Sequence, residues 1–178
     1  MEQTANGIIQ RAIRVCKLDY PAYREIARDP RATKEAAWVV GVVALAAGLG
    51  SHTNSLWAVI VSIIAAFLYW VVFSATTYFF GTTVFGTPTT QVNVESLLRT
   101  IGYAQAPRIL YLLGFIWLFG GLFVFAGWCW ALVTSVIAIR ETLHISTLRA
   151  VVIAIVAAIA SGIILTIIGI VTGIGWIL

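Results

Sequence analysis

Few residues of this sequence could carry out chemistry, and they lie far apart along the chain. The two histidines, His52 and His144, fall in polar segments between apolar stretches. Glu141 precedes His144 by three residues, but a metal site needs several converging ligands. No carboxylate lies in the middle of an apolar stretch, where ion-coupled transporters usually place one. The sequence therefore predicts no catalytic residue, no metal site and no cofactor.

Two cysteines and a row of hydroxyl groups are the other chemically active residues. Cys16 lies in a basic segment and Cys129 in an apolar one, so we expect two free thiols rather than a disulfide. Because Cys16 lies on an amphipathic stretch, its palmitoylation stays open. Ser74, Tyr78 and Thr82 recur every four residues and would lie on one helix stripe. Such a stripe either lines a small cavity or, more commonly, bonds backbone carbonyls and neighbouring helices.

The composition places these residues in a membrane protein. Of the 178 residues, 61% are hydrophobic and 10% are charged. Soluble domains are about 45–50% apolar and about 25% charged, and a soluble core of this size cannot hide the excess. The formal net charge is +4, but the basic residues of the N-terminal segment are mixed with acids. That mixture is unlike the basic stripe of a nucleic-acid-binding protein, so we expect the lipid bilayer, and no nucleic acid, as a partner.

Residues 1–34 predict an amphipathic arm that is cytoplasmic or lies in the membrane interface. A helix over residues 7–18 would carry Arg11, Arg14 and Lys17 on one side and aliphatic residues on the other. A basic face opposite an aliphatic face is typical of a helix lying on a membrane surface. Packing of this helix on the protein's own cytoplasmic side is the alternative, and both can hold together.

Residues 35–178 predict an all-α polytopic bundle of five spans. Residues 94–140 must provide two of them, and two spans need about 40 residues, so the third span has to begin before Pro107. Proline removes a backbone hydrogen bond, so we expect a bend or break within about one turn of it. Arg108 then lies at the cytoplasmic interface. The approximate spans are 35–50, 56–86, 94–119, 121–140 and 147–177.

The distribution of Lys and Arg predicts the orientation. The chain has 11 of them, and five spans place them all on one side. Four spans would separate Arg140 and Arg149 from the basic arm. We therefore expect a multi-pass protein of the bacterial cytoplasmic (inner) membrane, with a cytoplasmic N-terminus and a C-terminus outside.

Small residues recur at helical spacing in the first and last spans. Gly41 and Gly48 each follow an alanine by four residues, Gly162 belongs to a row of small residues, and Gly169 and Gly173 form a GxxxG pair. Small faces let helices approach closely in lipid. These glycines are candidates for packing, either within the chain or against another subunit or a second copy.

Several segments, taken in order, resemble the Yip domain family of five-span membrane proteins, which is named for Ypt/Rab interaction in eukaryotes. The resemblance is to the prokaryotic branch, whose function is not established, and it runs from about Arg14 onward. The family's role in vesicle traffic depends on a longer N-terminal domain and on Rab partners, so that role is not carried over. The matching segments are YREIARDP (23–30), YFFG to FG (78–86), LLRTIGYAQAP (97–107), AIRE (138–141) and STLRA (146–150).

These features predict a non-enzymatic integral membrane protein that acts by helix–helix and membrane-surface contacts. It would be a membrane organiser or an accessory subunit of a larger membrane complex, with other membrane subunits or a second copy as partners. The alternative is a small-solute or lipid transporter. The missing carboxylate or histidine within a span counts against that alternative.

Overall fold

A computed structural model describes residues 2–51, 56–86 and 92–172 of the chain. These residues form helices and contain no strand, so the predicted all-α architecture is confirmed. The helices are α1 (Glu2–Cys16), α2 (Tyr20–Arg28), α3 (Ala32–Gly50), α4 (Leu56–Phe79) with a π-helical turn (Phe80–Val84), α5 (Val94–Ala104), a 3-10 helix (Ala106–Phe115), α6 (Gly120–Leu143) and α7 (Thr147–Thr172).

Four helices in the described ranges are long and apolar enough to cross a bilayer. They contain 19 to 26 residues, which at about 1.5 Å per residue matches a hydrocarbon core of about 30 Å. The chain is therefore a multi-pass membrane protein. The expected third span, 94–119, is not among these helices, because it is interrupted. The four are Ala32–Gly50, Val59–Val84, Gly120–Leu143 and Thr147–Ile170.

The interruption follows from the chemistry of proline. α5 ends at Ala104, and the 3-10 helix begins one residue before Pro107. Pro107 has no N–H for the preceding turn, and the Arg108 N–H donates to the Gln105 carbonyl at 2.9 Å, which tightens the backbone into 3-10 geometry. The expected break within one turn of Pro107 is confirmed.

Thr134 of α6 compensates for the break. Its Oγ1 donates a hydrogen bond to the Ala104 carbonyl at 2.7 Å. In an uninterrupted helix, the N–H of Arg108 would have taken that carbonyl. Thr134 is completely buried, so a carbonyl that the break would leave unpaired in a dry interior has a partner.

The interrupted segment extends along the full length of α3. At one end, Arg99 Nε donates to Thr33 Oγ1 at 2.8 Å, near the start of α3. At the other end, a Cβ added to Gly114 would lie 2.8 Å from the Gly50 carbonyl oxygen, at the end of α3. α5 and the 3-10 helix have a combined length of about 36 Å at their usual rises per residue. Together they are as long as one membrane crossing.

The core lies where α1 and α2 cover one end of the bundle. Aromatic and aliphatic side chains from α1, α2, α5, α6 and α7 are completely or almost completely buried there. By contrast, apolar side chains on the outer faces of α4, α6 and α7 are exposed, as lipid-facing residues are. The largest side chains that are completely or almost completely buried include Tyr23, Tyr103, Ile26, Leu97, Ile101, Ile139, Leu143, Ile153 and Val15.

Candidate functional site

Ion pairs concentrate at one end of the bundle, which we call the polar end. α3 and α7 begin there, α6 ends there, and α1 and α2 lie across it. Five arginines, from α1, α2, α5 and α6, pair with carboxylates in this region. They are Arg11, Arg14, Arg24, Arg99 and Arg140.

Arg11 connects α1 to the rest of the polar end. Its Nη2 lies 2.8 Å from Asp29 Oδ2 and its Nη1 lies 2.8 Å from Glu35 Oε2. Tyr103 Oη of α5 donates to the same Glu35 oxygen at 2.6 Å. Although burial disfavours the charged form, these carboxylates raise the pKa of Arg11. Asp29 also loses hydration, but the Arg31 N–H and Arg11 bind its carboxylate and lower its pKa.

The polar side of α1 therefore faces the protein. Arg14 pairs with Asp19 at 2.7 Å and with Glu25 at 2.8 Å, and those hydrogen bonds raise its pKa. Lys17 is exposed. Of the three residues predicted to face lipid headgroups, Arg11 and Arg14 thus bind carboxylates of their own chain.

The aliphatic side of α1 is divided: Val15 is completely buried in the core, whereas Ile9 and Ile13 border an apolar groove. Ile9 and Ile13 are 56% and 48% exposed. The groove has a volume of about 710 Å³ and lies between α1, α3 and the 3-10 helix. Cys16 lines it, and burial raises the pKa of the Cys16 thiol. The groove lining also includes Ile8, Ala12, Trp38, Val39, Val42, Val43, Ala106 and Ile109.

Arg99 of α5 is a second buried anchor of the polar end. Its guanidinium donates to Thr33 Oγ1, to the Ala27 carbonyl at 2.9 Å and to Glu95 Oε2 at 2.8 Å. These contacts tie α5 to the end of α2 and the start of α3. Because each nitrogen of the Arg99 guanidinium has a partner within the chain, we interpret Arg99 as a structural residue that holds these helices together.

Glu141 forms the third anchor, at the end of α6. Its side chain is 6% exposed, and both carboxylate oxygens are bound by arginines. Arg140 Nε and Nη2 donate to Oε1 at 2.9 and 2.7 Å, and Arg24 Nε donates to Oε2 at 2.6 Å. Arg140 also lies over the Tyr20 ring, 4.4 Å from its centroid. α2 is thereby fixed to the corner between α6 and α7.

A small polar pocket opens beside Glu141. Its volume is about 240 Å³, and it lies between α2, α5 and the α6–α7 corner. His144, one of the sequence candidates, lines it, and the helical spacing to Glu141 does place both residues at one site. The lining residues are Arg24, Ala27, Arg28, Val92, Ser96, Glu141, Thr142 and His144.

The predicted stripe of hydroxyls on α4 bonds largely within the helix. Ser74 Oγ donates to the Trp70 carbonyl at 2.8 Å, and Thr82 Oγ1 donates to the Tyr78 carbonyl at 2.7 Å. Hydroxyls that bond backbone carbonyls of their own helix fit the interpretation that the stripe serves packing, and do not support a cavity for a solute. Between helices, the hydroxyls of Thr76 and Ser161 lie 2.8 Å apart and join α4 to α7.

The candidate glycines occupy different environments. A Cβ on Gly41 would lie 3.7 Å from the Phe67 ring, and one on Gly48 would lie 3.1 Å from Val59 Cγ1. Both therefore pack against α4. A Cβ on Gly162 would meet no atom of the described residues within 4 Å. Gly169 also lies on α7, and Gly173 falls outside the described residues.

Comparison with known families identifies the architecture. A model of the Yip1 domain matches residues 18–169, which is most of the chain. The chain belongs to the Yip1 domain family. The Yip1 domain thus runs from α2 through most of α7. It includes the anchors Arg99 and Glu141, whereas Arg11 lies before it. The predicted resemblance is confirmed, whereas membership of the prokaryotic branch stays a prediction. No curated protein and no solved structure matches the chain.

Proposed function

We propose that this Yip1-domain protein is a non-enzymatic membrane protein that works through contacts, as a membrane organiser or an accessory subunit of a larger membrane complex. The observation that supports this most is the outer surface of α7. Only 17% of its most apolar stretch is buried within the chain. Its exposed face combines large aliphatic side chains with the open position at Gly162, a surface that suits either lipid or another helix.

We further propose that the chain crosses the bacterial cytoplasmic membrane five times, with a cytoplasmic N-terminus and an external C-terminus. The interrupted unit of α5 and the 3-10 helix is the additional crossing, because it runs along the whole of α3. The gathering of arginines at the polar end supports the orientation. A phosphatase fused after Leu178 should be active outside the cytoplasm. A C-terminal fusion that fluoresces in the cytoplasm, with an inactive phosphatase, would refute this topology.

Substitutions at three positions test whether α7 serves as a contact surface. Gly162→Leu adds volume where the described chain leaves space, so the variant should fold normally. Gly48→Leu places a side chain against Val59 and should destabilise the bundle. Ile159→Leu alters another exposed residue of α7 without adding volume. After extraction in mild detergent, each variant is compared with the wild type for unfolding temperature, oligomeric state and co-purifying subunits.

The proposal requires Gly162→Leu to keep the wild-type unfolding temperature while losing a co-purifying subunit or a self-association. Gly48→Leu should lose stability, and Ile159→Leu should match the wild type. If Gly162→Leu keeps every partner and the same oligomeric state, α7 is a lipid-facing surface only. The contact function would then have to lie elsewhere on the bundle.

A further inference from the structure

The polar pocket beside Glu141 has a charge that its ion pairs do not neutralise. Arg24, Arg28 and Glu141 line the pocket, and Arg140, which is outside the lining, also pairs with Glu141, so three positive charges lie near one carboxylate. Glu95, the nearest other acid along α5, pairs with Arg99. The pocket is therefore an electropositive site.

The arginine groups that face the pocket have free donors. The Arg24 side chain is 54% exposed, and only its Nε is engaged, by Glu141. That bond orients the guanidinium while leaving its two terminal nitrogens without a hydrogen bond in the part of the chain described. Arg28 is exposed and makes no hydrogen bond or ion pair with the described residues. A planar, oriented guanidinium with free N–H groups suits bidentate binding of an oxyanion.

The backbone at His144 is held in an unusual conformation. His144 has φ 53° and ψ 44°, the left-handed region, at the C-cap of α6. Glycine is the usual residue at this position of a helix end, and strained backbone of this kind often marks functional sites. A glycine here would cap the helix with less strain but would remove the imidazole from the pocket. His144 thus adds a third potential donor to the pocket lining.

The proposed topology places the pocket at the depth of lipid headgroups. The pocket adjoins the corner at which α6 ends and α7 begins, and both helices are long enough to span the membrane. Ser96, in the first turn of α5, lines it as well, where the helix dipole favours an anion. Its volume of about 240 Å³ is below the ~300–1,000 Å³ of sites for drug-sized ligands. A single phosphate group with its nearest substituents fits this size.

We propose that this pocket binds a phosphate group, with Arg24 and Arg28 as the main donors and His144 and Ser96 as supporting donors. Glu141 is a positioning residue that orients Arg24. An anionic phospholipid headgroup and free inorganic phosphate share this chemistry, and the membrane position favours the lipid. The inference goes beyond the proposed contact function and does not depend on a protein partner.

A binding experiment on the full chain in neutral detergent tests the site. The unfolding midpoint is followed by tryptophan fluorescence during separate titrations with phosphatidylglycerol, phosphatidylcholine and inorganic phosphate, since a bound ligand stabilises the folded state. The variants are Arg24→Gln and Arg28→Gln, and Arg149→Gln is the control because Arg149 is an exposed cation of α7 outside the pocket. His144→Gly tests the strained position.

Phosphatidylglycerol should stabilise the wild type saturably, and phosphatidylcholine should do so much less. Arg24→Gln and Arg28→Gln should each need about tenfold more phosphatidylglycerol, the usual effect of losing one charged hydrogen bond, while Arg149→Gln behaves as the wild type. His144→Gly should be more stable without lipid and should bind more weakly.

Three results would overturn the proposal. The first is equal binding by Arg28→Gln and the wild type. The second is an equal loss in Arg149→Gln, which would mean general surface charge. The third is equal stabilisation by both lipids and none by phosphate. If inorganic phosphate stabilises the wild type through Arg24 and Arg28 and phosphatidylglycerol does not, the phosphate site is supported and its source is free phosphate.

Discussion

The hydrogen bond from Thr134 to the Ala104 carbonyl, next to the break before Pro107, can be tested by mutation. Thr134→Val removes one hydroxyl while nearly preserving the shape of the side chain. Thr134 Oγ1 has only one hydrogen to donate, and its shortest bond is to the Ala104 carbonyl at 2.7 Å, against 3.1 Å to the Trp130 carbonyl of its own helix. Because Ala104 and Thr134 are both completely buried, water cannot replace the lost donor.

The expected loss follows from that burial. A buried acceptor left without a partner costs about 1–3 kcal/mol, so Thr134→Val should lower the free energy of unfolding by that amount. Thr77 provides a matched control. It is also completely buried, but its Oγ1 has no hydrogen-bond partner among the residues that the structure describes. Thr77→Val should therefore leave the free energy of unfolding unchanged or raise it by up to about 1 kcal/mol.

Equilibrium unfolding in mixed micelles, with increasing SDS and tryptophan fluorescence as the readout, measures both variants under the same conditions. The difference between them removes the common effect of replacing a hydroxyl by a methyl group. An equal loss in the two variants would refute the reasoning, because it would mean that packing rather than the Ala104 bond decides the result. A neutral Thr134→Val would mean that the carbonyl finds another donor.

Other predictions concern the polar end and α1. The ionised Asp29 stabilises the fold above the ordinary carboxyl pKa of about 3.9, and this stabilisation is lost as the pH falls through the lower pKa of the folded state. Asp29→Asn should therefore flatten the acid side of the unfolding profile below about pH 5, and an unchanged profile would contradict the Arg11 pair. Arg99→Gln should lower the free energy of unfolding by about 2–3 kcal/mol, whereas Arg31→Gln, at an exposed position, should change it by less than about 0.5 kcal/mol. Cys16 should react with maleimide at neutral pH more slowly than cysteine in a free peptide, and an equal rate would show that its thiol is not shielded.

Local chemistry in the sequence was enough to predict the spanning helices and the break. Long apolar runs predict α3, α4, α6 and α7, because lipid cannot satisfy backbone groups and a helix satisfies them internally. The break follows from Pro107 alone, because a missing N–H acts on its own turn. The 3-10 helix after the break was not predictable in this way. It relies on Thr134 across the bundle and on close backbone contacts at Gly114 and Gly120.

The orientation of α1 shows a second limit of sequence reasoning. The pattern of residues separates a basic side from an aliphatic side, but it does not show that residues of both sides contact the protein, as Arg11 and Val15 do. The basic side faces inward because Asp29 and Glu35 are located to receive Arg11, and those acids are 18 and 24 residues away. A periodic pattern contains no information about such partners. The mixture of acids with basic residues in the N-terminal segment was the available signal, because acids in the same segment can pair with the arginines.

The arginines of the polar end fall into two groups: those that bind groups of their own chain and should stabilise the fold, and those with free donors that could bind a ligand. The guanidinium groups of Arg11 and Arg99 are bound by groups of their own chain, so replacing either arginine should affect stability first. Arg28 has no such bond in the described structure, and exposed cations without partners add almost nothing to folding. Arg28→Gln should therefore change the free energy of unfolding by less than about 0.5 kcal/mol and still weaken phosphate binding. If instead Arg28→Gln destabilises the protein without ligand as much as Arg99→Gln does, Arg28 is a folding residue, and the proposed anion site loses one of its two main donors.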